Sequence, residues 1–163
     1  MKFYMKQALL SFGSDFSVKD EHGKEVYYFD GLALSIRSKT IVKDANREEI
    51  ARITRKLFTF APTYRLTKGR QELATISKKL FTFRPAFTIS RKGKSPITVI
   101  GKLLEHEYRF FREREEIATC SKKWFTGKDT YGIEVKSSSE ALLVLSAAVI
   151  IDLICHPKRD SSF

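Results

Sequence analysis

The chain has 163 residues, the size of one ordinary domain, and is long enough to bury a core without disulfide or metal crosslinks. Its 30 Lys and Arg outnumber 19 Asp and Glu, giving a formal charge of +11, while a hydrophobic content of 42% excludes a disordered basic tail. Cys120 and Cys155 lie far apart without CxxC spacing, so a reducing, cytoplasmic setting is expected. The N-terminal MKFYMKQALLSFGS lacks the apolar stretch of a secretory signal.

An internal repeat organises the chain. Residues 49–66, EIARITRKLFTFAPTYRL, align without gaps on residues 72–89, ELATISKKLFTFRPAFTI, and are identical at 9 of 18 positions. A third copy begins at Glu116 with EIATCSKKWFTGKDTYGI, and a fainter relation joins VKDEHGKEV at 18–26 to VKDANREEI at 42–50. Repetition of this kind predicts that one structural unit is used several times.

The first half of each copy alternates apolar and polar residues. In the second copy Ala74 and Ile76 fall on one side and Thr75 and Ser77 on the other, and this period of two predicts a β-strand. Short connections favour antiparallel neighbours, so the strands within residues 1–136 are expected to form a meander that either closes or doubles over. The turn-forming stretches between them are 20–23, 44–46, 68–70, 91–94 and 127–129.

The C-terminal part of the chain has a helical pattern. The run ALLVLSAAVIIDLIC at 141–155 is apolar on every side apart from Ser146 and Asp152, and Pro157 stops it. Residues 137–139 are serines that offer hydroxyl groups for an N-cap. A membrane span needs about 20 apolar residues, so this shorter run is expected to be a helix buried inside protein. The alternative is a shallow membrane anchor, with Lys158 and Arg159 extending to the interface.

Together these elements predict one domain over residues 1–163. The expected fold is mainly β, a closed antiparallel barrel of about 12 strands around a buried hydrophobic C-terminal helix. Strands occupy 1–136, the central helix 139–155 and a short tail 156–163.

Four segments carry a resemblance to a known family: the opening MKFYMKQ, the segment VKDEHGKEVYYFDG, the KLFTF…PTY repeat and the final apolar helix. They resemble the LURP-one-related branch of the tubby C-terminal-like proteins, in particular its short bacterial members, over nearly the whole chain. The resemblance implies the same barrel around a C-terminal helix. Relatives include phosphoinositide-binding tubby domains and phospholipid scramblases, which implies a membrane-surface or regulatory role. No phosphoinositide-contacting residue of tubby matches a position here.

Three basic pairs occupy equivalent positions in the three repeats. The first member of each pair is in phase with an apolar residue two positions earlier, which indicates a strand reaching the barrel rim. Three equivalent cations can bind an anion such as a phosphate head group. The alternative is that they extend into water or prevent strands from pairing edge to edge. The candidate anion-binding residues are Arg55, Lys56, Lys78, Lys79, Lys122 and Lys123.

Aromatic residues interleave with these pairs. Basic and aromatic residues together can form a nucleic-acid surface, but no RNP-type or helix-turn-helix pattern accompanies them. Their shared register with Leu57 and Leu80 favours packing onto the central helix or bending of the strands. The residues concerned are Phe58, Phe60, Phe81, Phe83, Trp124 and Phe125.

The sequence contains no catalytic pattern. GxSxG, P-loop and GxGxxG motifs are absent, and His22, His106 and His156 lack metal-ligand spacing. Cys120 is expected inside a strand as a small hydrophobic residue. We therefore expect no enzymatic activity, no cofactor and no metal site.

Asp152 is the one acidic residue in the apolar helix. A buried carboxylate must be paired or protonated, and one hypothesis pairs it with a rim cation, Arg55, Lys78 or Lys122. The alternative is that Asp152, one turn from the helix end, reaches solvent.

These observations favour a binding or regulatory protein. The expected partner is an anionic phospholipid surface, because a charge of +11 attracts polyanions. The protein is then cytoplasmic and peripherally associated with the membrane. A nucleic-acid-binding module and a soluble protein-interaction scaffold are the alternatives, and no protein partner is identified.

Overall fold

The computed structural model describes residues 1–7, 16–31, 39–123 and 130–156, which form twelve β-strands and one α-helix. The helix, α1, spans Ala141–Cys155. The strands are β1 Lys2–Gln7, β2 Phe16–Asp20, β3 Glu25–Gly31, β4 Lys39–Asp44, β5 Glu49–Arg55, β6 Thr63–Lys68, β7 Gln71–Lys78, β8 Ala86–Arg91, β9 Lys94–Lys102, β10 Glu107–Arg112, β11 Glu115–Ser121 and β12 Thr130–Val135.

The strands form a closed antiparallel barrel. Each strand pairs with its neighbours in the chain, and β1 pairs with both β2 and β12, which closes the sheet. Alternate residues such as Ala74 and Ile76 in β7 point inward and are buried. The predicted fold is therefore confirmed. The alternation of apolar and polar residues explains it, since it gives each strand one apolar face that points into the barrel.

Helix α1 fills the barrel. Its residues Leu143 to Asp152 are all buried, as expected of a helix without a polar face. Ser138–Cys155 is long and apolar enough to cross a membrane, with a mean hydropathy of 2.0, but 67% of this stretch is buried inside the barrel.

The start of the helix differs from the prediction. Ser138–Glu140 form a turn of 3-10 helix, and no serine side chain caps either this turn or α1. The Ser137 and Ser139 hydroxyls instead hydrogen bond to each other at 2.9 Å. The expected serine N-cap is wrong.

The repeats correspond to hairpins. The three copies of the long repeat form β5–β6, β7–β8 and β11–β12. The fainter repeat forms the turns of β2–β3 and β4–β5, where Asp20 Oδ1 accepts hydrogen bonds from the His22 and Lys24 N–H groups. Asp44 Oδ1 accepts the equivalent bonds from the next hairpin. One turn chemistry is thus used twice.

The barrel has two chemically different ends. Because neighbouring strands are antiparallel, β5, β7, β9 and β11 all end at the same side, which we call the aromatic rim. The other end is the opposite rim. Helix α1 starts at the opposite rim and ends at the aromatic rim, where His156 Nε2 lies 3.0 Å from the Leu104 carbonyl oxygen.

Candidate functional site

Two equivalent loops project from the aromatic rim. They are residues 56–62, between β5 and β6, and 79–85, between β7 and β8. The Lys56 N–H donates to the Thr63 carbonyl, and the Lys79 N–H donates to the Ala86 carbonyl, both at 2.8 Å. The two loops are neighbours, and the Lys78 N–H donates to the Pro62 carbonyl at 3.1 Å between them.

Both loops have the same internal conformation. Phe58 and Phe81 adopt left-handed backbone angles, with φ of 60° and 59°. One residue later, Thr59 Oγ1 donates to the Ala61 carbonyl at 2.8 Å and Thr82 Oγ1 to the Arg84 carbonyl at 2.7 Å. The repeated Leu-Phe-Thr-Phe sequence therefore gives one defined loop shape twice.

The four loop phenylalanines are fully exposed. The exposed fraction is 104% for Phe58, 103% for Phe60, 103% for Phe81 and 111% for Phe83. The expectation that they pack onto the central helix or bend the strands is wrong. Trp124 and Phe125 of the third copy lie outside the described residues.

The loop phenylalanines are exposed because the strands end before them. β5 ends at Arg55 and β7 at Lys78, so the residues after them no longer follow the inward–outward alternation of the barrel. Leu57 and Leu80 are consequently 43% and 42% exposed although they continue the apolar pattern. Large exposed apolar groups that recur in one place mark contact surfaces.

The predicted anion-binding residues surround these loops. Arg55 and Lys78 are paired across the sheet with the buried residues Tyr64 and Phe87, which places them in phase with the core at the last position of their strands. All six lie at the aromatic rim, four exposed and two half-buried: Arg55, Lys79, Lys122 and Lys123, then Lys56 and Lys78.

The net positive charge is concentrated on one side of the barrel. Residues 51–104 contain 13 Lys or Arg and a single acidic residue, Glu72, so their net charge of +12 exceeds the +11 of the whole chain. It runs from β5 to the connection after β9, and we call it the basic sector. Both exposed loops belong to it, and neither contains Asp or Glu.

Sequence reasoning missed one cation of this surface. Arg84 is exposed in the second loop, one position after Phe83, where the first loop has Ala61. The signal was present, because Arg84 is the only charge difference between the aligned loops. It brings the second loop to two cations, Lys79 and Arg84.

A shallow cleft lies beside the first loop. It has a volume of about 290 Å³ and is lined by Thr54, Arg55, Lys56, Leu57 and Arg65. Arg65 also pairs with Glu72 at 2.8 Å. A larger depression of about 670 Å³ lies beside the start of α1, at the opposite rim, and includes Arg91, Lys92 and Lys94.

Asp152 is paired with histidines instead of rim cations. His106 Nε2 lies 2.6 Å from Asp152 Oδ1, and His156 Nδ1 lies 3.3 Å from the same oxygen. The predicted pairing with Arg55, Lys78 or Lys122 is therefore wrong. The alternative that Asp152 reaches solvent is also wrong, because Asp152 is only 5% exposed. The cluster joins the end of α1 to the connection after β9.

The arrangement of this cluster is unfavourable for a metal ion. Ligand atoms of His106, Asp152 and His156 lie within 4.8 Å of one another. However, the two imidazole rings are stacked, with centroids 4.6 Å apart and an interplanar angle of 6°. An ion bound by both lone pairs must lie in both ring planes, which stacked parallel rings do not share. The observed contacts instead connect α1 to the barrel wall.

The thiol of Cys120 is not activated. Cys120 is fully buried in β11, as predicted, and burial raises its pKa well above the ordinary value. A protonated, inaccessible thiol is a poor nucleophile.

The fold defines the class of this protein as a closed twelve-strand antiparallel barrel with a helix in its core. An X-ray structure of a protein from Arabidopsis thaliana is similar, with a TM-score of 0.70 and 15% sequence identity over 94% of this chain and 91% of that chain. The chain belongs to the LURP-one-related family, whose profile matches residues 1–152. No curated protein matches it.

Proposed function

We propose that this protein is a non-enzymatic binding protein that attaches peripherally to anionic phospholipid surfaces through its aromatic rim. The observation that carries the proposal is the coincidence of two features at one end of the barrel. Four fully exposed phenylalanines lie there, among the cations of the aromatic rim and at one end of the basic sector. In the cytoplasm, the protein would meet an anionic phospholipid surface at the inner leaflet of the membrane.

The energetics support a bilayer as the partner. Each Lys or Arg near an anionic membrane contributes about 1 kcal/mol, so the cations of the rim together supply several kcal/mol. The interaction is screened within about 8 to 10 Å at physiological salt, so it acts at contact distance. Salt should therefore weaken the binding.

The internal use of the acidic and histidine groups supports binding over catalysis. Glu107 accepts hydrogen bonds from the Ser121 hydroxyl at 2.8 Å and the Lys122 N–H at 3.0 Å. Asp152 is bonded to His106 in the interior. These groups are engaged in holding the rim together.

Vesicle flotation of the full chain tests the proposal. The vesicles are phosphatidylcholine alone or with phosphatidylserine, at low and high salt. The test variant, Lys79→Glu/Arg84→Glu, reverses two exposed cations of the loop that leads into β8. The control, Lys92→Glu/Lys94→Glu, makes the same charge change at the other end of this strand, at the opposite rim.

We expect binding only to anionic vesicles, release by salt, and binding at least about 30-fold weaker for the rim variant, since two cations are worth about 2 kcal/mol. The control variant should lose much less, because its charges face away from the bilayer. Failure of the wild-type chain to float with anionic vesicles would refute the proposal.

A further inference from the structure

We propose that the two Leu-Phe-Thr-Phe loops are membrane-inserting elements: Phe58, Phe60, Phe81 and Phe83 enter the boundary between head groups and acyl chains of an anionic bilayer. This inference rests on the proposed function and adds an apolar component to an electrostatic one. The loops are defined as residues 56–62 and 79–85.

The first argument is the exposure of the rings. All four rings are fully exposed, so the barrel buries no part of them. Transferring an aromatic ring from water to an apolar phase is favourable. A bilayer interface accepts such rings without a complementary pocket, since its hydrocarbon boundary is fluid.

The second argument is that the loops are held in a projecting conformation. Phe58 and Phe81 both adopt φ close to 60°, an uncommon angle for a bulky residue that carries a free-energy cost. Both loops adopt this angle, and in both the threonine one residue later makes the same hydrogen bond. A preformed tip loses little conformational entropy when it enters the bilayer.

The third argument is that the two loops act together. The Lys78 N–H donates to the Pro62 carbonyl, and the Thr63 and Ser77 hydroxyls lie 3.2 Å apart, so the bases of the loops are tied to each other. Insertion of one loop brings the second to the surface. Two weak anchors on one rigid body bind much more tightly than either alone.

The fourth argument distinguishes a bilayer from a second copy of the chain. Lys56, Lys79 and Arg84 flank the rings, and no acidic residue is present in either loop. Two aromatic rims brought face to face would repel each other through their basic sectors. An anionic bilayer places phosphates beside these cations while the rings enter the apolar phase.

The first part of the test removes the rings. The variant Phe58→Ser/Phe60→Ser/Phe81→Ser/Phe83→Ser is compared with Ile100→Ser, which removes a 46%-exposed apolar side chain of β9. Because the four rings make no core contact, the melting temperature should not fall. Partitioning onto phosphatidylserine-containing vesicles should fall about 100-fold or more, and the remaining binding should disappear at high salt.

The second part of the test measures depth. Phe60→Trp and Phe83→Trp are made separately in a Trp124→Phe background, so that each protein has one tryptophan. Vesicles carrying bromine on the acyl chains should quench the fluorescence and shift it to the blue. The control is Tyr4→Trp in the same background, on the opposite side of the barrel from the basic sector, and it should not respond.

The outcomes separate this inference from the proposed function. If the wild-type chain does not bind anionic vesicles, both fail. If it binds, but the serine variant binds equally well and neither tryptophan is quenched, the insertion is refuted while electrostatic attachment stands. Conversion of a wild-type dimer to a monomer by the serine variant, without loss of vesicle binding, would assign the loops to self-association and overturn the inference.

Discussion

Among the described glycines with positive φ, Gly101 is the one whose surroundings most restrict substitution. It lies in β9 with φ of +137°, a region essentially confined to glycine. A Cβ atom built on it would lie 2.6 Å from the Glu107 carbonyl oxygen and 2.7 Å from the Tyr108 Cα. Both are main-chain atoms, so a larger residue requires the β9–β10 pair to move.

We therefore expect Gly101→Ala to lower the free energy of unfolding by roughly 3 kcal/mol, combining the cost of the backbone angle with overpacking. Gly93→Ala is the control. Its φ is +69° but nothing lies within 4 Å of the added Cβ, so the cost should be only about 1 kcal/mol. Urea unfolding measures both, and equal losses would show that the contact with β10 does not matter.

Some single-residue contacts could not be predicted from the sequence. Asp152 was recognised as a buried carboxylate that needs a partner, but His106 lies 46 residues earlier and has no local signal that points to α1. Charge alone favours the rim cations as partners of Asp152. Closure of the barrel instead brings the connection after β9 over the helix end, which sequence spacing does not encode.

At the scale of elements, repetition and alternation were sufficient to predict strands, barrel and core helix. The same pattern misplaced the loop aromatics, because Leu57 and Leu80 continue the alternation past the point where β5 and β7 end. The same apolar residues can occur in a strand that faces the core and in a loop that projects from the barrel, so composition does not separate the two. Only the strand length, set by pairing with β6 and β8, distinguishes them.

The start of helix α1 is fixed by an ion pair with the barrel wall. Glu140 lies 3.2 Å from Arg91 of β8 and 2.6 Å from Arg112 of β10. Burial alone would raise the pKa of Glu140, but the hydrogen bond from Arg112 and the charge of Arg91 outweigh it and lower that pKa below its ordinary value of 4.5. The ion pair thus connects α1 to two strands.

This arrangement predicts a pH-dependent stability. With the pKa lowered in the folded state, the unfolded chain binds the proton first, so the stabilisation is complete above about pH 4.5 and is lost as pH falls through the folded-state pKa. Glu140→Gln should cost about 2 kcal/mol at pH 7, and in thermal melts the difference from wild type should shrink as the pH falls below the ordinary glutamate pKa of about 4.5.

The control for this prediction is Glu105→Gln. Glu105 pairs with Lys102 at 3.4 Å, but the two side chains are 63% and 72% exposed. An exposed pair contributes between zero and about 1 kcal/mol. A Glu140 effect no larger than that of Glu105, or one that persists unchanged at low pH, would contradict the role of the buried ion pair.

At the scale of the whole molecule, the net positive charge is concentrated on one side of the barrel. The six basic residues were predicted from their equivalent positions in the repeats, and the barrel places all of them at one rim. What the linear sequence did not reveal is that the charges of residues 51–104 form a continuous side of the barrel beside the exposed rings. A polyanion of any kind is attracted to this side.

The shape of the partner decides which cations matter, and this separates a bilayer from a nucleic acid. A flat bilayer touched by the aromatic rim cannot also reach the opposite rim, whereas an oligonucleotide can follow the basic sector from one end to the other. We expect Lys79→Glu/Arg84→Glu and Lys92→Glu/Lys94→Glu to weaken oligonucleotide binding by similar factors, with a steep dependence on salt. On anionic vesicles the first pair should have a much larger effect. Equal effects on vesicles would mean that the barrel lies on its basic side, with its axis parallel to the membrane.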